Sequence, residues 1–305
     1  MIPSPSKMKP GSRSRLTPLI LLVVVGSLKA DIPYPVKMKI LRLSDGVRFG
    51  IVGERLPRPA PTVLLLAHSL ETMQADPHYT DAGRLLTPYG FIGVALDPPA
   101  HGEDLRPGEP GGMAGGMVAW RQRLDRSEDF ISPFIDHARR VLDYMIKERY
   151  TDAARIGVIG ISRGGFLAGH LAAADPRIKV IVGLSPLVDL MALTEFRGTP
   201  RAAAAEKLAL IHLAPKLAGR SIWVGIGNTD ERVDADRVIA FTRALVRASV
   251  GLGDHPVVPV ELVVGPAVHA GSFGHYSVEQ ADALAANWIL KQFDMPAAIP
   301  LQTIP

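Results

Sequence analysis

The chain contains no cysteine among its 305 residues. Disulfides and a lipid-modified cysteine are therefore excluded, though a disulfide-free protein is compatible with either side of a bacterial membrane. A long hydrophobic run is also missing. The most apolar stretch, Leu16 to Leu28, has 13 residues, where a comfortable span needs about 20. Once the first thirty residues are set aside, a charge excess is missing too. The whole chain carries +4, but five of its 34 Lys and Arg and none of its 30 acids lie in residues 1–30. The remainder is −1, so the basic pI gives no case for nucleic-acid binding. There is no internal repeat and no low-complexity domain.

What those first thirty residues do have is the pattern of a secretory leader. Lys7, Lys9, Arg13 and Arg15 give a basic start, the apolar run follows, and Ala30 precedes Asp31. This predicts a signal peptide over 1–30 and a secreted or periplasmic protein with no stable membrane span after cleavage. Leu28 stands third before the cut, where a small residue is preferred, so an uncleaved membrane anchor is the alternative. About 275 residues remain, enough for one α/β domain over 31–294 with a large core. Residues 295–305, Pro-rich, are expected to form a loose tail.

Strand and helix signals alternate along that domain. Val36 to Leu43 and Val47 to Val52 flank Ser44-Asp45-Gly46 as a hairpin. Thr62 to Ala67 and Phe91 to Leu96 are continuous apolar runs, read as buried strands. A helix is expected over Pro77 to Tyr89, stopped by Gly90, and a long Gly/Pro-rich loop over 104–117. Ser132 to Tyr150 has helical periodicity. Later strands fall at Val180 to Leu184, Ser221 to Ile226 and Val257 to Val264. Met191 to Leu217 reads as mostly helical, and helices close Arg232 to Ser249 and Val278 to Phe293. Such alternation means a mostly parallel sheet covered on both faces.

The most informative segment is Gly160-Ile161-Ser162-Arg163-Gly164. The apolar run Arg155 to Ile159 precedes it and the helical run Gly165 to Ala174 follows. A serine at a sharp strand-to-helix turn has its hydroxyl pushed out of the fold, and flanking glycines relieve the crowding. The bland alternative is a capping serine in a Gly-rich loop. Partners are sought at the carboxyl ends of the other strands. Asp230 follows Gly227-Asn228-Thr229, and His269 follows Gly265 to Val268. Ser162 as nucleophile, His269 as base and Asp230 as the acid that orients it form an ordered set. Asp234 and Asp189 compete with Asp230, and His275 competes with His269. The histidine spacing matches no zinc motif, and no metal or cofactor is expected. Backbone N–H groups of Arg163 and Leu70 are the expected oxyanion donors, with Ser69 behind Leu70. His101 is expected to order its loop.

These segments together resemble the α/β-hydrolase superfamily from about Val36 to Phe293. Leu66-Ala67-His68-Ser69 is similar to its strand-then-H-G pattern, Asp97 to Gly102 to D-x-x-G-H-G, and Gly160 to Gly165 to G-x-S-x-G-G. Gly227 to Asp230 resembles the acid turn and Val264 to His269 the final histidine turn. The dienelactone-hydrolase and prolyl-oligopeptidase-like branch is the nearest in pattern. Ser69 and Ala100 stand where glycines are usual, and no H-G-G-G stretch is present. The resemblance implies an α/β-hydrolase fold: a mostly parallel eight-stranded sheet, helices on both faces, and a small helical insertion before the acid-bearing strand. It also implies a serine hydrolase acting on a small ester or acyl substrate. A serine peptidase acting on small peptides and a non-catalytic binding protein on the same scaffold are the alternatives. Residues 185–220 either form a lid that shapes an acyl pocket or pack on the domain.

Overall fold

The computed structural model describes residues 37–253, 258–266, 275, 278–295 and 299–301. The expected leader and His269 lie outside them. The hairpin forms as β1 (Met38–Arg42) and β2 (Arg48–Val52), paired antiparallel. Six further strands follow: β3 (Ala60–Leu66), β4 (Ile92–Ala95), β5 (Thr151–Ile161), β6 (Ile178–Leu184), β7 (Ser221–Gly227) and β8 (Val260–Gly265). Their order in the sheet is β1-β2-β4-β3-β5-β6-β7-β8, and every pairing from β4 onward is parallel. This is the eight-stranded, mostly parallel sheet expected from the sequence.

The continuous apolar strands are explained by burial on both faces. Alternate residues of β3 go to opposite cores. Leu64 and Leu66 join one with Trp120, Phe134, Phe166 and Phe241. Val63 and Leu65 join the other with Leu70, Met73, Ala285 and Ile289. The first face is covered by α3 (Gly112–Asp125), α4 (Ile131–Lys147), α5 (Arg163–Ala174) and α8 (Ala235–Val250). The second is covered by α1 (Leu70–Ala75), α2 (Asp81–Leu86) and α9 (Ala281–Gln292). The insertion contributes 3-10 turns, α6 (Ala202–Lys207) and α7 (Ala214–Leu217). Its Leu193, Phe196 and Leu210 are buried in the first core, so these side chains pack on the domain and do not line a lid.

Two expectations are corrected. Residues 112–117 belong to α3 and not to a loop, despite Gly115 and Gly116. Burial of Met117 and Trp120 outweighs the low helix propensity of glycine. Pro77 to Tyr89 is not one helix. It is two 3-10 turns around α2, closed by Gly90 at φ 81°. The tail is held at Ile299, whose N–H and C=O bond both polar atoms of Asn287, at 2.6 and 2.9 Å.

The α2–α9 contact carries a half-buried acid. Asp282 Oδ1 is shielded and has no hydrogen-bond partner among the described residues. Burial, then the neighbouring Asp81, pushes the Asp282 carboxyl up to about 7. A raised acid binds its proton more tightly in the folded state, so its ionisation destabilises the fold. Stability falls as pH rises from about 4 to about 7 and levels off above that. Asp282→Asn is expected to remove this slope, with a gain on the order of 2–4 kcal/mol at pH 8 and little change at pH 4. Denaturant midpoints of both proteins at the two pH values measure it; an equal difference at both would refute the assignment.

Candidate active site

The site is built on the carboxyl ends of β5, β7 and β8. Strand β5 delivers Ser162 into a turn at φ 53°, ψ −117°, a conformation that L-residues rarely adopt. The turn is held by main-chain bonds. Ser162 N–H donates to Leu184 O at 3.0 Å, and Ser162 O accepts from Gly165 and Leu187 N–H, both at 2.9 Å. Glycines are required by contact. A Cβ on Gly164 would overlap the Leu66 carbonyl of β3, and one on Gly160 would overlap the Gly164 carbonyl. Helix α5 starts immediately after the serine, so the positive end of its dipole lies at Ser162.

Asp230 lies three residues beyond β7 and is 3% exposed. Its Oδ1 accepts from Arg232 and Val233 N–H at 2.9 and 3.0 Å. That leaves Oδ2 for His275 Nδ1, at 3.2 Å. His275 Nε2 stands 2.9 Å from Ser162 Oγ. A carboxylate only accepts, so Nδ1 carries the proton and Nε2 is a bare acceptor for the serine hydroxyl. The imidazole here is that of His275, which corrects the expectation of His269. The physical reason lies in the chain's return. Val278, three residues before α9, packs at the end of β8, where a Cβ on Gly265 would stand 3.1 Å from its Cγ1. The rival acids are engaged elsewhere. Asp234 caps α8 through Arg237 N–H, and Asp189 caps a 3-10 turn and pairs with Arg237.

The expected donor on the β3 loop is also corrected. Leu70 N–H donates to Asp97 Oδ1 at 2.9 Å, because Ser69 caps a helix, α1, where a loop was expected. Ser69 N–H donates to His68 Nδ1 at 2.9 Å. Asp97 in turn accepts from Arg48, which bridges to Glu71. This clamp between the β3 and β4 loops was not found from the sequence; Asp97 at the end of an apolar run was its available signal.

Beside it His101 Nδ1 donates to the Pro99 carbonyl at 2.8 Å, so His101 Nε2 accepts from the Arg163 guanidinium. Burial, then Arg163, pushes His101 down to about 3. His101 thus stays neutral and orders its loop. Burial also lowers Arg163 to about 10, still charged at neutral pH. Among the described residues no three His, Asp or Glu side chains gather as metal ligands, and no helix is long and apolar enough to cross a membrane.

Comparison with known proteins agrees with this arrangement. A hydrolase from a Fusarium species is 28% identical over 159 residues, covering 48% of this chain and 33% of its own. The match thus spans a third of that relative's length. Porphyromonas gingivalis dipeptidyl peptidase 4 superposes with a TM-score of 0.55 at 18% identity, over 84% of this chain and 35% of its own. A candidate dienelactone hydrolase from Klebsiella pneumoniae superposes at 0.56 with 17% identity, over 84% of this chain and 98% of its own. These likenesses establish the α/β-hydrolase fold. Residues 135–295, more than half of the chain, match the prolyl oligopeptidase family, and the Ser162 turn, Asp230 and His275 all fall inside that stretch. The chain therefore has the α/β-hydrolase fold and belongs to the prolyl oligopeptidase family.

Proposed function

We propose that the chain is an exported serine hydrolase that cleaves a carboxylic ester through an acyl-enzyme. The observation that carries this reading is the run of hydrogen bonds from Ser162 Oγ through His275 to Asp230. Ser162 Oγ attacks the acyl carbon as His275 Nε2 takes its proton. Asp230 Oδ2 holds the Nδ1–H tautomer and stabilises the imidazolium. The Arg163 backbone N–H, first in α5, faces the developing oxyanion at the positive end of the helix. His275 then protonates the leaving alkoxide, and water repeats the sequence to release the acid.

An alkoxide leaves a tetrahedral intermediate far more readily than an amide anion does, so an amide nitrogen must be protonated before it departs. The same triad therefore turns over esters whether or not it also cleaves amides. A peptidase acting on small peptides is the second reading, favoured by the family match and the likeness to a dipeptidyl peptidase. A panel of p-nitrophenyl esters of increasing chain length, run beside dipeptide p-nitroanilides, separates the two. The ester reading expects kcat/KM highest on one ester, and a preference for an anilide would reverse it. Export rests on the basic start and apolar run of residues 1–30. N-terminal sequencing of exported protein is expected to give a terminus near Asp31; an intact Met1 in the membrane fraction would favour the anchor.

A further inference from the structure

The insertion packs on the first core through Leu193, Phe196 and Leu210, yet a cavity of about 510 Å³ remains between it and the domain. The walls are the turn before α4 with the start of α4, the second half of α5, and residues 201–216 of the insertion. Small side chains leave the space. Ala173 and Ala174 come from α5, and Ala204 comes from α6. Leu124, Phe130, Ile135, Leu208 and Leu213 make the rest of the lining mainly apolar. Sites for small ligands have this form: about 300–1,000 Å³, apolar walls and a few placed polar groups. The cavity is separate from the triad, none of whose residues lines it. His170, which does line it, stands eight residues after Ser162, about 12 Å further along α5 at 1.5 Å per residue.

The polar groups of the lining select the ligand. His170 Nε2 donates to the Leu208 carbonyl at 2.9 Å and so ties α5 to the insertion. Burial lowers His170 to about 4, so its ring is neutral and adds no charge. Both acids of the lining are already engaged. Glu128 holds Arg106 and Arg126, one on each oxygen, both at 2.6 Å. Asp129 Oδ1 accepts from Ile131 and Ser132 N–H at the start of α4, both at 3.0 Å. The two cations of the lining are different. The side chains of Arg201 and Lys216 make no ion pair among the described residues. Asp125, the acid whose charge Arg201 feels, gives its oxygens to Thr199 and Arg121. Cations without an anion at the edge of an apolar space suit a ligand whose own anion stays at the rim while its chain enters.

We propose that this cavity is a second ligand site, which takes a small anionic amphiphile with one aliphatic chain and an oxyanion head such as a carboxylate. The chain lies against Phe130, Ile135, Leu208 and Leu213, and the head meets Arg201 and Lys216. Binding there needs no chemistry at Ser162, so the site stands or falls separately from the acyl-enzyme reading.

The test titrates the full chain with octanoate, 1-octanol and octylammonium, which share a chain and differ in the charge of the head, and reads binding by isothermal calorimetry. Octanoate should bind about tenfold tighter than octylammonium, roughly the worth of two exposed charge contacts. The double variant Arg201→Gln/Lys216→Gln should lose about tenfold in octanoate affinity and keep its affinity for 1-octanol. Ala204→Phe should fill the space and weaken both ligands; Ala173→Leu, from the α5 wall, carries the same measurement where Ala204→Phe does not fold. The wild-type protein gives an independent reading, since the ring resonances of His170 should shift when octanoate is added. An acid could also occupy the catalytic centre, so the titration is repeated after treatment with a fluorophosphonate, and binding should persist. Equal affinity for all three heads overturns the proposal, as do an unmoved His170 resonance and octanoate binding that survives both the double variant and the filled cavity. Binding lost on fluorophosphonate treatment would place octanoate at Ser162 and overturn it as well.

Discussion

Ser162→Ala is expected to lower kcat by about 10⁴–10⁶-fold and to abolish labelling by a fluorophosphonate probe. The size follows from the chemistry. The variant loses the atom placed to form the acyl bond, and His275 loses the hydroxyl that it deprotonates. What remains is polarisation by donors around the oxyanion, which alone gives a small residual rate. The fold should survive. Ser162 holds its turn through its own N–H and C=O, not through its side chain. Thermal midpoint and circular dichroism should therefore match the parent protein, although alanine inherits the positive φ of 53°. Turnover at the parental rate by a folded variant would refute the nucleophile assignment. Loss of activity together with loss of the fold would instead locate the damage in the Ser162 turn, and Ser162→Gly, free at positive φ, would then carry the measurement.

What the sequence made legible is what local pattern controls. The run from Arg155 to Ile159 and the glycines at 160 and 164 specify a strand, a tight turn and a helix within twenty residues. Each glycine is then explained by a backbone contact in the structure. Asp230 was legible for the same reason, three residues beyond the end of β7. The donors on the β3 loop were not. Ser69, with Glu71 in the first turn, is a helix start, and α1 begins at Leu70 where a loop was expected. That helix aims Leu70 N–H at Asp97, a residue 27 positions away, and no pattern within either segment announces the pairing. Helix α3 was missed through its glycines, since composition argues for a loop where tertiary packing of Trp120 and Met117 decides for a helix. The base was missed through distance along the chain. Closeness to the end of β8 favoured His269, but the ring that meets Ser162 and Asp230 is that of His275, ten residues beyond the strand.

His275→Ala is expected to reduce kcat by about 10⁴-fold or more, while His269→Ala keeps most of the activity. The bonds of His275 define the reason. One ring nitrogen meets Ser162 Oγ at 2.9 Å and the other meets Asp230 Oδ2 at 3.2 Å, so the ring both accepts the proton and is oriented to do so. Removing it leaves the serine with a hydroxyl whose proton has no acceptor, and leaves the buried Asp230 carboxylate with Arg232 and Val233 N–H as its remaining partners. Two further outcomes are expected from the same geometry. His275→Ala should lose fluorophosphonate labelling nearly as completely as Ser162→Ala, because labelling also needs an activated serine. The double variant Ser162→Ala/His275→Ala should be no slower than either single variant, because residues acting on one proton transfer are not additive. Rates of acylation and hydrolysis at pH 7–8 measure each case. An inactive His269→Ala beside an active His275→Ala would return the base to the turn after β8. Loss in both would mean that His275 depends on His269 for its placement. Kinetics that fall multiplicatively in the double variant would separate Ser162 and His275 into independent roles and dissolve the triad.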